Sequence, residues 1–326
     1  MENQKLVISP APHVHGKNDT RRMMGDVLLA LLPALVVSVL AYGWQAFVVV
    51  AFSVACCVLV EWFIQRFMLR GENTIGNLSA IVTGVLLGFN LPANIPLGLV
   101  AIAAVVAIGI GKMTYGGLGK NPFNPALVGR VFMLVAFPVA MTSFPEAVGA
   151  VSGATPLAMA KEALKAGAPV SEVLQSVNFA DMFLGAKSGS LGEISVVALL
   201  LGFGWLLVRR VISWHIPVCV LGTMALFSGI MWAVNPAEYM SPLFHLLSGG
   251  AVLGAVFMAT DYVTSPMTKK GMVIYAIGIG AITMLIRLWG PYPEGMSFAI
   301  LIMNALVPLI DKWVRPRRFG VVKTQK

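Results

Sequence analysis

Ala107-Ile108-Gly109-Ile110-Gly111 recurs as Ala276-Ile277-Gly278-Ile279-Gly280, and the same offset aligns Pro122-Phe123 with Pro291-Tyr292. Five small apolar residues repeat easily by chance, but this offset also superposes the first two long apolar runs of the chain on the sixth and seventh. Agreement of a whole pattern of runs is the mark of an internal duplication. Each half holds an odd number of runs, so the halves lie in opposite orientation if the runs cross a membrane. The expectation is an all-α polytopic membrane protein with about ten transmembrane helices, in two inverted five-helix repeats with broken helices.

Composition agrees with a membrane protein. Of 326 residues, 58% are hydrophobic and 11% charged, and the mean hydropathy is +0.84, whereas a soluble domain carries roughly 25% charged residues. The net charge of +9 raises the question of nucleic acid, and its distribution answers against it. Of the 23 Lys and Arg residues, all except Arg130, Lys161, Lys165, Lys187 and Arg287 fall in segments on one side of the ten-span scheme. That asymmetry supports ten spans with both termini in the cytoplasm. The polar start lacks a cleavage pattern, so no removable signal peptide is expected. Cys56, Cys57 and Cys219 lie in apolar runs without a CxxC pair, which argues against iron–sulfur ligation, haem attachment and an internal disulfide framework.

In chain order, residues 1–25 form a cytoplasmic segment, 26–141 the first repeat, 142–191 an extracytoplasmic loop, 192–311 the second repeat, and 312–326 a basic cytoplasmic tail. The stretch from Lys112 to Pro125 is too rich in Gly, Pro and Asn to continue a helix. Lipid cannot satisfy a bare backbone, so this break must be packed in protein or line a cavity. Its counterpart in the other half is Gly290-Pro291-Tyr292-Pro293.

Within the long loop, Thr155 precedes Pro156 and an Ala/Leu/Lys/Glu run, so it reads as the N-cap of a short helix. A phosphate ester on that hydroxyl would face free N–H groups and the positive end of the helix dipole. Among charges near the apolar runs, Asp26, Glu61 and Asp311 stand at span ends and read as solvated boundary charges. Arg130 lies inside a span, where it either pairs with a carboxylate or holds a ligand anion. Thr260-Asp261-Tyr262 forms a polar break after a glycine-rich span; Asp261 either lines a cofactor or cation site or sits in a simple cytoplasmic turn. The four histidines are scattered, and neither a metal centre nor a set of catalytic residues emerges.

Three motifs in order, Asn121-Pro122-Phe123-Asn124-Pro125-Ala126, Ser152-Gly153-Ala154-Thr155 and Thr260-Asp261-Tyr262 with Ser265-Pro266, together resemble the D subunit of the Rnf electron-transport complex. The related B subunit of the sodium-translocating NADH:quinone reductase shares the pattern. The resemblance implies FMN joined to Thr155 through a phosphoester, installed by a flavin transferase for which Ser152, Gly153 and Ala154 leave room. It also implies contributions to cofactor binding from Asn121, Asn124, Arg130 and Asp261. A second, non-covalent flavin such as riboflavin is a further implication, together with partner subunits, both membrane-bound and soluble. The implied function is that of a flavin-carrying subunit coupling electron transfer between ferredoxin and NAD to Na+ or H+ movement. One departure stands out: transferase sites often carry an acid six residues before the Thr, where this chain has Gly149, with Glu146 the nearest upstream acid. On fold alone, a secondary transporter or channel for a small polar solute, without redox cofactor, fits the inverted repeats equally.

Overall fold

In the computed structural model, residues 19–70, 74–145, 155–166, 178–185 and 188–315 are described, and every regular element among them is a helix. The first two, α1 (Thr20–Tyr42) and α2 (Trp44–Phe63), are joined only at Gly43, whose φ of 71° gives the reversal without a loop. Next come α3 (Ser79–Phe89), α4 (Leu97–Ala104), α5 (Pro125–Ala136), α6 (Pro138–Thr142), α7 (Pro156–Ala166) and α8 (Phe179–Leu184). The remainder are α9 (Val196–Val208), α10 (His215–Val234), α11 (Pro242–Leu247), α12 (Ala251–Leu253), α13 (Lys269–Trp289) and α14 (Met296–Trp313). Helices α2, α4 and α12 each run on into a π-helical turn, over Ile64–Leu69, Val105–Ile110 and Gly254–Met258.

Among the described residues, six helical stretches are long and apolar enough to cross a membrane: Thr20–Tyr42, Trp44–Leu69, Leu97–Tyr115, His215–Val234, Lys269–Trp289 and Met296–Trp313. Their outward faces are apolar, with Leu40, Ile110, Leu226 and Val234 all exposed. The tryptophans give the same reading from another direction. Trp44, Trp62, Trp205, Trp214, Trp232, Trp289 and Trp313 are all exposed and all lie at or near helix ends, where an aromatic belt meets the interface of a bilayer.

Several expected spans come out differently. The third is only the 11 residues of α3, the fifth the 12 of α5, and the sixth the 13 of α9. At 1.5 Å per residue each covers about 16–20 Å, short of the ~30 Å hydrocarbon core. The apolar run from Leu243 to Ala259 is split at Ser248-Gly249-Gly250 into α11 and the α12 stretch: Ser248 leaves the helix in an extended conformation and Gly249 follows at a φ of +62°. The fifth stops at Phe137, where Pro138 opens a new short helix.

Close approach of backbones holds the bundle together. A Cβ on Gly84 of α3 would stand 2.6 Å from Val54 Cα of α2, and one on Gly202 of α9 would stand 2.2 Å from the Ala30 carbonyl of α1. With no hydrophobic force between helices in lipid, such small-residue contacts and interhelical hydrogen bonds carry the association. Ser53 of α2 supplies one, donating to the Gly84 carbonyl at 2.8 Å.

The short helices end inside the bundle. The C-terminal ends of α3 and the α12 stretch meet, with Asn90 Nδ2 3.8 Å from Met258 Sδ. Asn90 also donates to the Leu86 carbonyl at 2.6 Å, and Asn124 donates to the Met258 carbonyl at 3.2 Å. Two asparagine side chains thus satisfy carbonyls that the interrupted helices leave open.

Candidate functional site

Asn124 is the N-cap of α5. Its Oδ1 accepts from the N–H groups of Ala126 and Leu127 at 3.1 and 3.4 Å, with Pro125 at the first helical position. The expectation that the Lys112–Pro125 break is packed in protein or lines a cavity holds: Lys112, Asn121 and Asn124 are buried and line one cavity. Ser79, Thr83, Thr260, Asp261 and Tyr262 also line it, against apolar walls that include Met24, Val27, Leu86 and Phe257. About 80 Å³ of it is accessible to water-sized molecules. The structure therefore brings Asn121, Asn124 and Asp261 together, from breaks in both halves of the chain.

Asp261 combines its two expected readings. It anchors a turn, accepting from Val263 N–H and Thr264 Oγ1, both at 3.3 Å, and it faces the cavity. Burial pushes its carboxyl above the ordinary carboxylate range, against the opposing pull of those hydrogen bonds and of Lys112.

Glu61 corrects the sequence-based expectation. Glu61, expected to be a solvated boundary charge, is fully buried, and Lys112, at the start of the packed break, pairs with it at 2.6 Å. Lys112 Nζ also donates to Ser79 Oγ at 2.7 Å, while Gln65 Nε2 donates to Glu61 at 3.3 Å. Asp26, likewise expected at a solvated end, is buried and bonded to Arg209 at 3.2 Å, tying α1 to α9. In lipid a lone charge is costly, so each finds a partner across the bundle.

A second polar assembly lies elsewhere. Arg130 sits further along α5 than Asn124 and does not join the cavity. Its Nη1 donates to Asn90 Oδ1 at 2.6 Å and its Nη2 to Glu294 Oε2, which decides between its alternatives in favour of a carboxylate partner. Arg287, placed outside by charge counting, is buried within α13 and donates to the carbonyls of His245 and Ser248 at 2.6 and 3.0 Å. Burial pushes the Glu294 carboxyl up, but the guanidiniums of Arg130 and Arg287 outweigh it and hold the group below the usual carboxylate range. Glu193, also buried, places its Oε2 at Gly250, where Arg130 Nη1 lies too.

Helix α7 lies on this second assembly. Leu157 packs at Gly249, and Lys161 Nζ donates to the carbonyls of Ile286 and Tyr292. At its start Thr155 is the N-cap: its Oγ1 accepts from Ala158 N–H at 3.2 Å and its carbonyl from Met159 N–H at 3.0 Å. Thr155 is buried, 7% exposed as a residue. Ser152, Gly153 and Ala154, like Glu146 and Gly149, lie outside the described residues.

Sequence reasoning gave Glu61 a solvated place and missed Glu193, Arg287 and Glu294 as parts of these assemblies. Only Glu193 had a local signal, the Ser190-x-x-Glu193 capping box, in which Glu193 Oε1 accepts from Ser190 N–H at 2.9 Å.

Known proteins resemble this chain along its whole length. Residues 7–320 match the model of the NQR2, RnfD, RnfE family. The D subunit of the Na(+)-translocating ferredoxin:NAD(+) oxidoreductase complex of Acetobacterium woodii is 44% identical over 330 residues, covering 100% of this chain and 99% of that protein. The D subunit of the proton-translocating ferredoxin:NAD(+) oxidoreductase complex of Clostridium ljungdahlii is 42% identical, covering 97% of this chain and 96% of that protein. The D subunit of the ion-translocating oxidoreductase complex of Stutzerimonas stutzeri is 39% identical over 93% of each.

Proposed function

The chain belongs to the NQR2, RnfD, RnfE family, and from that premise we propose that it is the D subunit of an ion-translocating ferredoxin:NAD+ oxidoreductase complex. It works with the other membrane and soluble subunits of an Rnf complex and is not catalytic alone. The observation that carries this reading is full-length similarity to D subunits, two of them named for ferredoxin:NAD+ oxidoreductases.

Within that assignment, Thr155 carries FMN as a phosphoester. The N-cap position of Thr155 supports this: the hydroxyl stands at the positive end of an 11-residue helix, beside the N–H of Ala158. A phosphate fits there, because the free N–H groups of a first helical turn suit an anion. The flavin would supply one- and two-electron redox chemistry, and the chain would hold its attachment point against Gly249 through Leu157 and against the α13–α14 turn through Lys161.

The cavity lined by Asn121, Asn124 and Asp261 suits a second, non-covalent flavin such as riboflavin. Its walls are apolar enough for a ring system, and its amide and carboxyl groups suit the polar edge. The ten-crossing, inverted-repeat reading draws support from α3 and the α12 stretch, two interrupted helices whose C-terminal ends meet. In that scheme the chain lies in the bacterial inner membrane with both termini in the cytoplasm, and α7 lies outside.

The test is the intact mass of the chain purified after co-expression with its flavin transferase. An increment equal to one FMN ester, mapped to the peptide containing Thr155, is the expected result. An unmodified, colourless chain would favour a solute transporter.

A further inference from the structure

Asn304 of α14 touches both of the breaks that line the cavity, yet it lines no part of the cavity itself. It is 1% exposed, and its amide lies among three backbone groups and a hydroxyl. Carbonyls accept and N–H groups donate, so these neighbours fix the orientation of the amide. The carbonyls of Thr264 and Ile300, each 3.2 Å away, accept from Nδ2, while Oδ1 accepts from the Asn124 N–H, also at 3.2 Å. The Tyr275 hydroxyl completes the set at 2.6 Å.

The two ends of this bridge belong to opposite walls of the cavity. The Asn124 side chain is already committed to the first turn of α5 and to the Met258 carbonyl, so its backbone N–H is the group that Asn304 takes. Thr264 closes the Asp261 turn, with its Oγ1 donating to Asp261 Oδ2 at 3.3 Å. One buried amide thus ties the residue that caps α5 to the turn that presents Asp261.

Helix α14 holds the Asp261 side of the cavity at two further points. The Met267 N–H donates to Asp311 Oδ1 at 3.3 Å, and Thr268 Oγ1 donates to the Val314 carbonyl at 3.2 Å. The segment that carries Asp261 therefore follows α14, and Asn304 is where the Asn124 wall joins it. Tyr275 of α13 is fully buried and also lines no part of the cavity, so its hydroxyl serves to fix the Asn304 amide.

We propose that Asn304 is a positioning residue for the ligand of this cavity. Through the Asn124 N–H and the Thr264 carbonyl it sets the separation of the Asn124 and Asp261 side chains, and Tyr275 sets its own orientation. The inference rests on the reading of the cavity as the site of a non-covalent flavin. A flat ring with polar edges meets both walls at once only when their separation matches its width. Loosening the bridge therefore lowers affinity without altering any group that touches the ligand.

The experiment is equilibrium dialysis of riboflavin against the intact complex, washed free of non-covalent flavin, with covalent FMN read separately from the mass of this chain. Asn304→Leu keeps the volume, removes both bridging hydrogen bonds, and should weaken riboflavin binding about tenfold, with the covalent FMN unchanged. Tyr275→Phe should weaken it by less, about two- to fivefold. Asn121→Ala, in the cavity wall, should lower it too, which locates the measured binding in this cavity. Gly192→Ala puts a methyl 2.5 Å from Phe89 Cβ, and neither residue lines the cavity, so it should lower the thermal midpoint and leave affinity unchanged. Wild-type affinity in both Asn304→Leu and Tyr275→Phe overturns the inference, as does an equal loss in Gly192→Ala, which would make stability alone the cause. Should Asn304→Leu fail to assemble, Tyr275→Phe decides by the same measurement. A wild-type complex that binds no riboflavin would overturn the cavity reading itself, and this inference with it.

Discussion

Lys112 Nζ lies 2.6 Å from Glu61 Oε2, and the two side chains are only 2% and 1% exposed. The pair joins α2 to the break that follows the α4 stretch, and Lys112 alone of the two lines the cavity shared with Asn121, Asn124 and Asp261. Both charges are withdrawn from water, so each depends on the other for its solvation. Ser79 and Gln65 complete the set of hydrogen bonds around them.

Removing one partner should therefore cost more than removing both. Lys112→Met or Glu61→Gln alone strands a buried group and should destabilise by about 3–5 kcal/mol. The double variant should lose clearly less than the sum of the singles. Thermal unfolding of the purified protein in detergent, arranged as a double-mutant cycle, measures the difference. Additive losses would show that the two charges are solvated independently.

Thr155→Ala should have two separate effects. Loss of the cap should weaken α7 by about 1 kcal/mol, seen as faster proteolysis within 156–166. Loss of the hydroxyl should leave no flavin fluorescence at this chain's mass in a denaturing gel. Thr155→Ser keeps the cap and should restore the protease resistance. Covalent fluorescence that persists in the alanine variant would place the ester on another residue.

Two glycines of α9 offer a packing test with an internal control. Gly202→Ala puts a methyl 2.2 Å from the Ala30 carbonyl, a backbone atom that cannot step aside, and should cost about 1–3 kcal/mol by forcing α1 and α9 apart. Gly204→Ala meets nothing within 4 Å and should gain up to about 1 kcal/mol from helix propensity. Equal thermal midpoints for the two variants would contradict the close α1–α9 crossing.

The Glu294 carboxyl is held below its ordinary range by Arg130 and Arg287. With the folded pKa below an unfolded value of about 4.3, its stabilisation is complete above that pH and is lost as the pH falls through the depressed folded value. Acid unfolding of wild type should therefore steepen below about pH 4.3, and Glu294→Gln, already less stable at neutral pH, should lack that component. Parallel curves would mean that Glu294 gains nothing from the two arginines.

The short helices show where reading the chain falls short. Hydropathy marks α3, α5 and α9 as apolar but does not say that they stop within the bundle, since an interrupted helix and a crossing one have the same composition. What marks the breaks is Asn90 meeting Met258, Asn124 capping α5, and Gly249 at a φ of +62°. Of the site residues, Asn121, Asn124 and Asp261 were visible because polar residues after an apolar run must be accommodated somewhere. Glu193 and Glu294 were not, because 101 positions of sequence separate them and neither stands inside an apolar run.

The sequence by itself determined that this is a multi-pass helical membrane protein with Thr155 opening a helix, and its motifs carried the family. These follow from local quantities: hydropathy, cap chemistry and the order of short motifs. Only the tertiary structure decided which charges pair. Asp26 with Arg209, Glu61 with Lys112 and Arg130 with Glu294 are all distant in the chain. In a medium that cannot solvate a charge, the partner is chosen by which helices pack together, and that is a property of the whole bundle.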